Sequence, residues 1–199
     1  MSQASPRPII LASRSPRRFQ LATEEGWEVT VRIPPEEAET NADARGAHES
    51  LAAYVRRLAR AKADAVAATG VSGTILACDT LAEIDGVVLG KPIDRADACR
   101  MLQTLSGRPH RVVSGVCLWN HPHGTPLLGD AESVLEMGEL TEAFLDWYLE
   151  SGMWMGKAGA CGFQDARLPL HLVHGSPSNV VGLPLELVRT MLAQLDATP

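Results

Sequence analysis

The chain predicts an α/β fold in which a mixed sheet is flanked by helices. Three observations predict it. An apolar strand at 8–12 runs straight into a capped helix start, a long amphipathic helix at 49–69 precedes a second apolar strand at 74–84, and hairpin signals beyond that strand supply more strands than strict alternation would. With 199 residues, 45% of them hydrophobic, there is material for an ordinary core in a single domain at 8–197. Residues 1–7 are expected to be disordered or loosely held.

The first element, Pro8 to Ala12, has the composition of a buried strand. Ser15 is a good N-cap, Pro16 falls at the first helical position, and Phe19, Leu21 and Ala22 continue an apolar face. Glu28 to Ile33 alternates as a strand does, and an acidic loop from Pro34 to about Gly46 follows it. From Glu49 to about Thr69, Leu51, Val55, Leu58, Ala59, the stem of Lys62 and Val66 recur at helical spacing, and Gly70 ends the run. Thr74 to Ile84 is a strand interrupted by Asp79, and Asp85-Gly86 turns it into Val87–Leu89. Asp94 caps a helix reaching Leu105, which Ser106-Gly107 stops. Arg111 to Trp119 is the next strand, with 121–124 turning into another; a helix opened by Thr141 runs to about Glu150. A glycine-rich loop at 152–162, a short strand at 168–173 and a closing helix at 184–195 complete the reading.

The formal net charge of −6 argues against extended binding to a nucleic-acid polymer, so a basic site must be local and suits a small anionic ligand. Cys78, Cys99, Cys117 and Cys161 lack zinc-type spacing, and Met1 to Pro8 is too polar and proline-rich for a signal peptide. No segment approaches the roughly 20 apolar residues that cross a bilayer. The expectation is a cytoplasmic protein without membrane contact.

The junction LASRSPRR at 11–18 is the strongest functional signal. A helix start points free N–H groups and a positive dipole at its own loop, where Ser13, Ser15, Arg14, Arg17 and Arg18 can converge on a phosphate. The competing reading is a well-capped surface helix with solvated arginines. Asp79 follows a small and apolar run, where a charge needs a partner or a metal; the expectation is a carboxylate presented at a bend or strand end. A turn-capping aspartate is the plainer alternative. Lys91 is confined between Gly90 and Pro92 and could neutralise a phosphate, or be an exposed turn lysine; the segment lacks the spacing and hydroxyl of a P-loop. Lys62, Lys157 and Gln164 stand out too, the last able to read a planar base edge or to face water. The histidines suggest no metal site, and the chain has no GxSxG elbow and no cysteine in an activating setting.

These pieces, in order, make the chain resemble the Maf family of nucleoside triphosphate pyrophosphatases. The motifs are LASRSPRR at 11–18, EE at 36–37, LARAKA at 58–63, ACDT at 77–80, GKP at 90–92, LSGRPH at 105–110, GKAGACGFQ at 156–164 and NVVGLPL at 179–185. The resemblance implies an elongated, two-lobed α/β domain akin to the inosine triphosphate pyrophosphatase group, with a cleft between lobes and a homodimer. It implies hydrolysis of a nucleoside triphosphate to the monophosphate and pyrophosphate, a house-cleaning removal of non-standard or excess nucleotides, assisted by Mg²⁺ or Mn²⁺. On it, Asp79, Lys62 and Lys91 are catalytic, and Glu36, Glu37 and Asp79 hold metal. Ser13, Ser15, Arg17, Arg18, Thr80, Lys157 and Gln164 bind substrate.

Arg17, Thr80 and Gln164 match the branch acting on dTTP and UTP, where the 7-methyl-GTP branch carries tryptophan, glutamine and glutamate. The alternatives are a 7-methyl-GTP pyrophosphatase of the same family and a non-catalytic, nucleotide-binding regulator of septum formation. Cys161 stands where an aromatic tyrosine is common, and Glu39 is exchangeable with the paired glutamates.

Overall fold

The computed structural model describes residues 7–35, 45–165 and 167–197. In chain order the elements are β1 (Pro8–Ala12), α1 (Pro16–Glu24), β2 (Glu28–Arg32), α2 (Leu51–Ala67), β3 (Gly73–Ile84), β4 (Val87–Leu89) and α3 (Arg95–Leu105). They continue with β5 (Pro109–His121), β6 (Leu127–Met137), α4 (Glu142–Glu150), a 3₁₀ turn (Ala158–Ala160), β7 (Leu170–His174), α5 (Pro177–Val181) and α6 (Leu185–Asp196). The sheet is mixed, as expected: β1 pairs in parallel with β2 and β3, whereas β4 on β3 and β7 on β6 are antiparallel. The chain divides into two compact units, one of 1–79, 114–131 and 182–199, the other of 80–113 and 132–181, and β3, β5 and β6 contribute residues to both.

In the first unit the strands run β2-β1-β3-β5-β6. Alternation along them separates two cores. Ile9, Leu11, Leu76, Cys78, Val116 and Leu118 face one way and pack with Ala22 of α1 and with Val188, Met191 and Leu192 of α6. Ala12, Ile75, Ala77 and Cys117 face the other and meet Ala59, Ala63, Val66 and Ala67 of α2. That second layer is built from small side chains, so α2 lies close to the sheet. Gly115 marks the tightest approach: a Cβ there would fall 2.2 Å from the backbone carbonyl of Val55. Arg7 is tied in place, its carbonyl accepting Glu28 N at 2.9 Å and its Nη1 lying 2.6 Å from Asp196 Oδ2. Residues 1–6 fall outside the described ones.

The second unit carries the β3-β4 hairpin and the order β3-β5-β6-β7. Its core joins Ala82, Ile84, Leu89, Val112, Leu135 and Met137 of the strands to α3 and to Leu145, Tyr148 and Leu149 of α4.

Three of the caps follow the sequence reading, and Ser50, which that reading does not name, is the fourth. Ser15, Ser50, Asp94 and Thr141 each accept a backbone N–H three residues on. Three details differ. Phe19 of the expected apolar face is exposed, because Arg18 and Ala22, one turn apart, occupy the inward face of α1. The late strand lies at Leu170–His174 rather than 168–173, since Leu170 begins its pairing with Met137. A short helix, α5, lies between the late strand and the closing helix, where the sequence reading places no element; Ser176 Oγ accepts Asn179 N at 3.3 Å and supplies its start.

Candidate active site

The first unit gathers several of the residues singled out from sequence. Asp79 is not at a bend or at the end of its own strand: it is interior to β3, a correction to the expectation. A neighbouring strand's end presents it instead. The parallel register of β1 and β3 stops at Ala12 and Ala77, so Asp79 lies just beyond the carboxyl end of β1, where open α/β sheets place their ligands. On the pleat it shares a face with Ile75 and Ala77, the face covered by α2. Lys62, buried on that helix, puts Nζ 2.5 Å from Asp79 Oδ1. The side chains are 9% and 15% exposed, so each charge supplies the partner that the other's burial demands. Among the described residues, Asp79 Oδ2 accepts no hydrogen bond.

The helix start lies beside this pair. Arg18 donates from Nε to Gly182 O at 2.7 Å and from Nη1 to Cys78 O at 2.8 Å, gripping the peptide that leads into Asp79. Gly182, with φ of +115°, belongs to the NVVGLPL segment, and the motif thereby acquires a structural reason. Ser13 is buried, and its Oγ accepts Ser15 N at 3.1 Å; Ser15 Oγ accepts Arg18 N at 3.4 Å. Both hydroxyl oxygens serve the local backbone, which leaves their O–H protons as donors to an anion. Arg17 is half-buried and Arg14 exposed, so the three arginines do not act alike: Arg18 is a strut.

The second unit holds the other candidates, and they form their own arrangement. Gly159 N donates to Gly90 O at 3.0 Å, which ties the GKP segment to the 3₁₀ turn of the glycine-rich loop. Gly159 has φ of +67°, a value that a side chain would disfavour. Lys91 is exposed after β4; Lys157, on the tied loop, forms an ion pair with Asp165. Tyr148 OH donates to the same carboxylate at 2.5 Å. Gln164 is exposed and Thr80 half-buried. Asp165 carried no sequence signal, because its partners lie eight and seventeen residues away across a loop.

Thiol chemistry has no foothold here. Burial pushes the Cys78 thiol up to about 11 and those of Cys117 and Cys161 up to about 12, and all four cysteines are free. Asp79 offers the hard oxygen donor that a divalent cation prefers, and Glu36 and Glu37 are of the same donor type but lie outside the described residues. Among the described residues, no group of three or more His, Cys, Asp or Glu gathers. No helix among them is long and apolar enough to cross a membrane.

An α/β protein with an anion-receptive helix start beside a lysine-paired aspartate is the class these features define. The chain belongs to the Maf family: the model described as Maf-like protein matches residues 8–195. It is 41% identical over 193 residues to the dTTP/UTP pyrophosphatase of Rhodopirellula baltica, covering 96% of this chain and 84% of that one. The dTTP/UTP pyrophosphatase of Symbiobacterium thermophilum is 40% identical over 188 residues, covering 94% and 93%. Among solved structures, the Ham1 protein of Staphylococcus aureus aligns with a TM-score of 0.44 at 14% identity, over 66% of this chain and 72% of that one.

Proposed function

We propose that this chain hydrolyses dTTP and UTP between the α- and β-phosphates, giving the nucleoside monophosphate and pyrophosphate. The observation that carries the reading is Asp79: one oxygen held by Lys62, the other uncommitted among the described residues, just past the end of β1. Relatives named dTTP/UTP pyrophosphatase, matched over 84% and 93% of their own length, support the substrate class.

In this mechanism Asp79 Oδ2 accepts a proton from the attacking water. The new bond forms between the water oxygen and the α-phosphorus as the bond to the bridging oxygen breaks, and pyrophosphate leaves with that oxygen. Lys62 fixes the carboxylate and supplies the counter-charge its burial requires. Ser13, Ser15 and Arg17, with the first turn of α1, hold phosphate oxygens, while Arg18 keeps the turn and Cys78 O in register. Lys91 is proposed as a further catalytic cation, and Thr80, Lys157 and Gln164 as further substrate-binding residues. Mg²⁺ or Mn²⁺, held by Asp79 with Glu36 and Glu37, would neutralise charge on the triphosphate.

The test is pyrophosphate release from dTTP, UTP, 7-methyl-GTP and the other common nucleoside triphosphates with each metal. Turnover of dTTP and UTP above the rest is expected. Preference for 7-methyl-GTP, or binding of nucleotide without pyrophosphate release, overturns the reading. A cytoplasmic location, supported by four free thiols, and a homodimer belong to the same proposal. Light scattering on the purified protein checks the dimer.

A further inference from the structure

Asp165 gathers three donors from three parts of one unit. Its Oδ1 receives Lys157 Nζ; its Oδ2 receives Tyr148 OH at 2.5 Å and Gly162 N at 2.8 Å. Asp165 N in turn donates to Gly162 O at 2.9 Å, so the turn 162–165 is closed by its main chain and by its side chain. The carboxylate is 11% exposed. A Cβ on Gly162 would lie 3.0 Å from Asp165 Oδ2 and 3.1 Å from Lys157 Cδ, so the lysine stem and the carboxylate are packed against the glycine itself. Tyr148, the anchoring donor, is fully buried in the core of α3 and α4, and burial together with the bond to Asp165 raises its pKa.

Two side chains are displayed by this clamp. Gln164 projects into solvent from inside the closed turn, and Lys157 is held by one contact to Oδ1 while an ammonium carries three donors. We propose that Asp165 is the positioning residue of this loop, fixing Lys157 and Gln164 so that both meet a nucleoside triphosphate without first being ordered. The inference rests on the pyrophosphatase reading above. Its physical content is preorganisation: a lysine free to rotate loses rotamer entropy on binding phosphate, whereas one already held by Asp165 has lost most of it beforehand.

The experiment compares wild type with Asp165→Asn, Lys157→Gln and the double variant, measuring kcat and KM for dTTP, with near-ultraviolet circular dichroism to check the fold. Each single change is expected to raise KM about tenfold with kcat within about threefold, and the double variant is expected to raise it by clearly less than the product of the two, because Asp165 acts partly through Lys157 and partly through Gln164. A normal KM in Asp165→Asn beside a raised KM in Lys157→Gln overturns the proposal. So do two effects that multiply, and so does a fall in kcat and folded fraction at unchanged KM. Wild-type protein that releases no pyrophosphate from dTTP or UTP defeats the underlying reading instead, and that is seen before any variant is made.

Discussion

Lys62 on α2 reaches Asp79 on β3 because the layer between them is made of alanine: Ala59 and Ala63 on the helix, Ala12 and Ala77 on the strands. Larger side chains there would lift the helix and pull the ammonium away from the carboxylate. Stability and chemistry are therefore joined at this pair.

Asp79→Asn keeps an oxygen acceptor for Lys62 but loses the basic carboxylate. Pyrophosphate release is expected to fall at least about 100-fold while the protein stays folded. Lys62→Met strands a nearly buried carboxylate and is expected to lower stability by about 3 kcal/mol in urea unfolding. Combining Lys62→Met with Asp79→Leu should restore most of that stability and none of the activity. An unaltered midpoint in the single Lys62 variant would remove the pair from the account of stability.

Arg18→Lys retains the charge but cannot span Gly182 O and Cys78 O from one planar group. A loss of about 2 kcal/mol is expected from the two bonds. Turnover of dTTP should fall as well, because the peptide preceding Asp79 is no longer held. Kinetics equal to wild type would reduce Arg18 to a surface cation.

Gly115→Ala sets a methyl carbon against the backbone of Val55, which cannot rotate away as a side-chain tip could. The expected cost is about 3 kcal/mol, at the upper end for overpacking. Since α2 must shift to admit the methyl, activity should fall more than stability alone explains. Thermal unfolding and turnover measured well below the midpoint separate the two.

His110 is buried, and loss of hydration pulls its pKa below the ordinary 6.5. The unfolded chain thus binds the proton more readily than the folded one. The stability is fully present above about pH 6.5 and is lost as pH falls through the lower folded value. Unfolding free energy should decline between pH 7 and pH 5, a range in which most carboxylates stay ionised, as at about pH 5 they are still above their usual values. Replacing His110 by Gln should flatten that decline; an identical slope would assign it to other groups.

Much of the fold could be read ahead because its signals are local. Ser15-Pro16, Asp94 and Thr141 state where helices begin, and Asp85-Gly86 states a hairpin. The position of Asp79 could not be read that way. Whether a carboxylate is presented depends on where β1 stops, and that register is fixed by pairing between segments more than sixty residues apart. Lys62 was legible as a helical position facing the core, but its partner was not, for the same reason. Asp165 was invisible because a loop imposes no period from which a contact could be inferred.

The tie between Gly159 N and Gly90 O consists wholly of peptide atoms. Side-chain replacement cannot delete it, so the spacing between the segments bearing Lys91 and Lys157 is insulated from drift in the residues around them. On the proposed function, in which Gln164 reads the base, changes at Cys161 or Gln164 would alter base preference without removing this main-chain tie, which makes the loop the place to begin redesigning nucleotide preference.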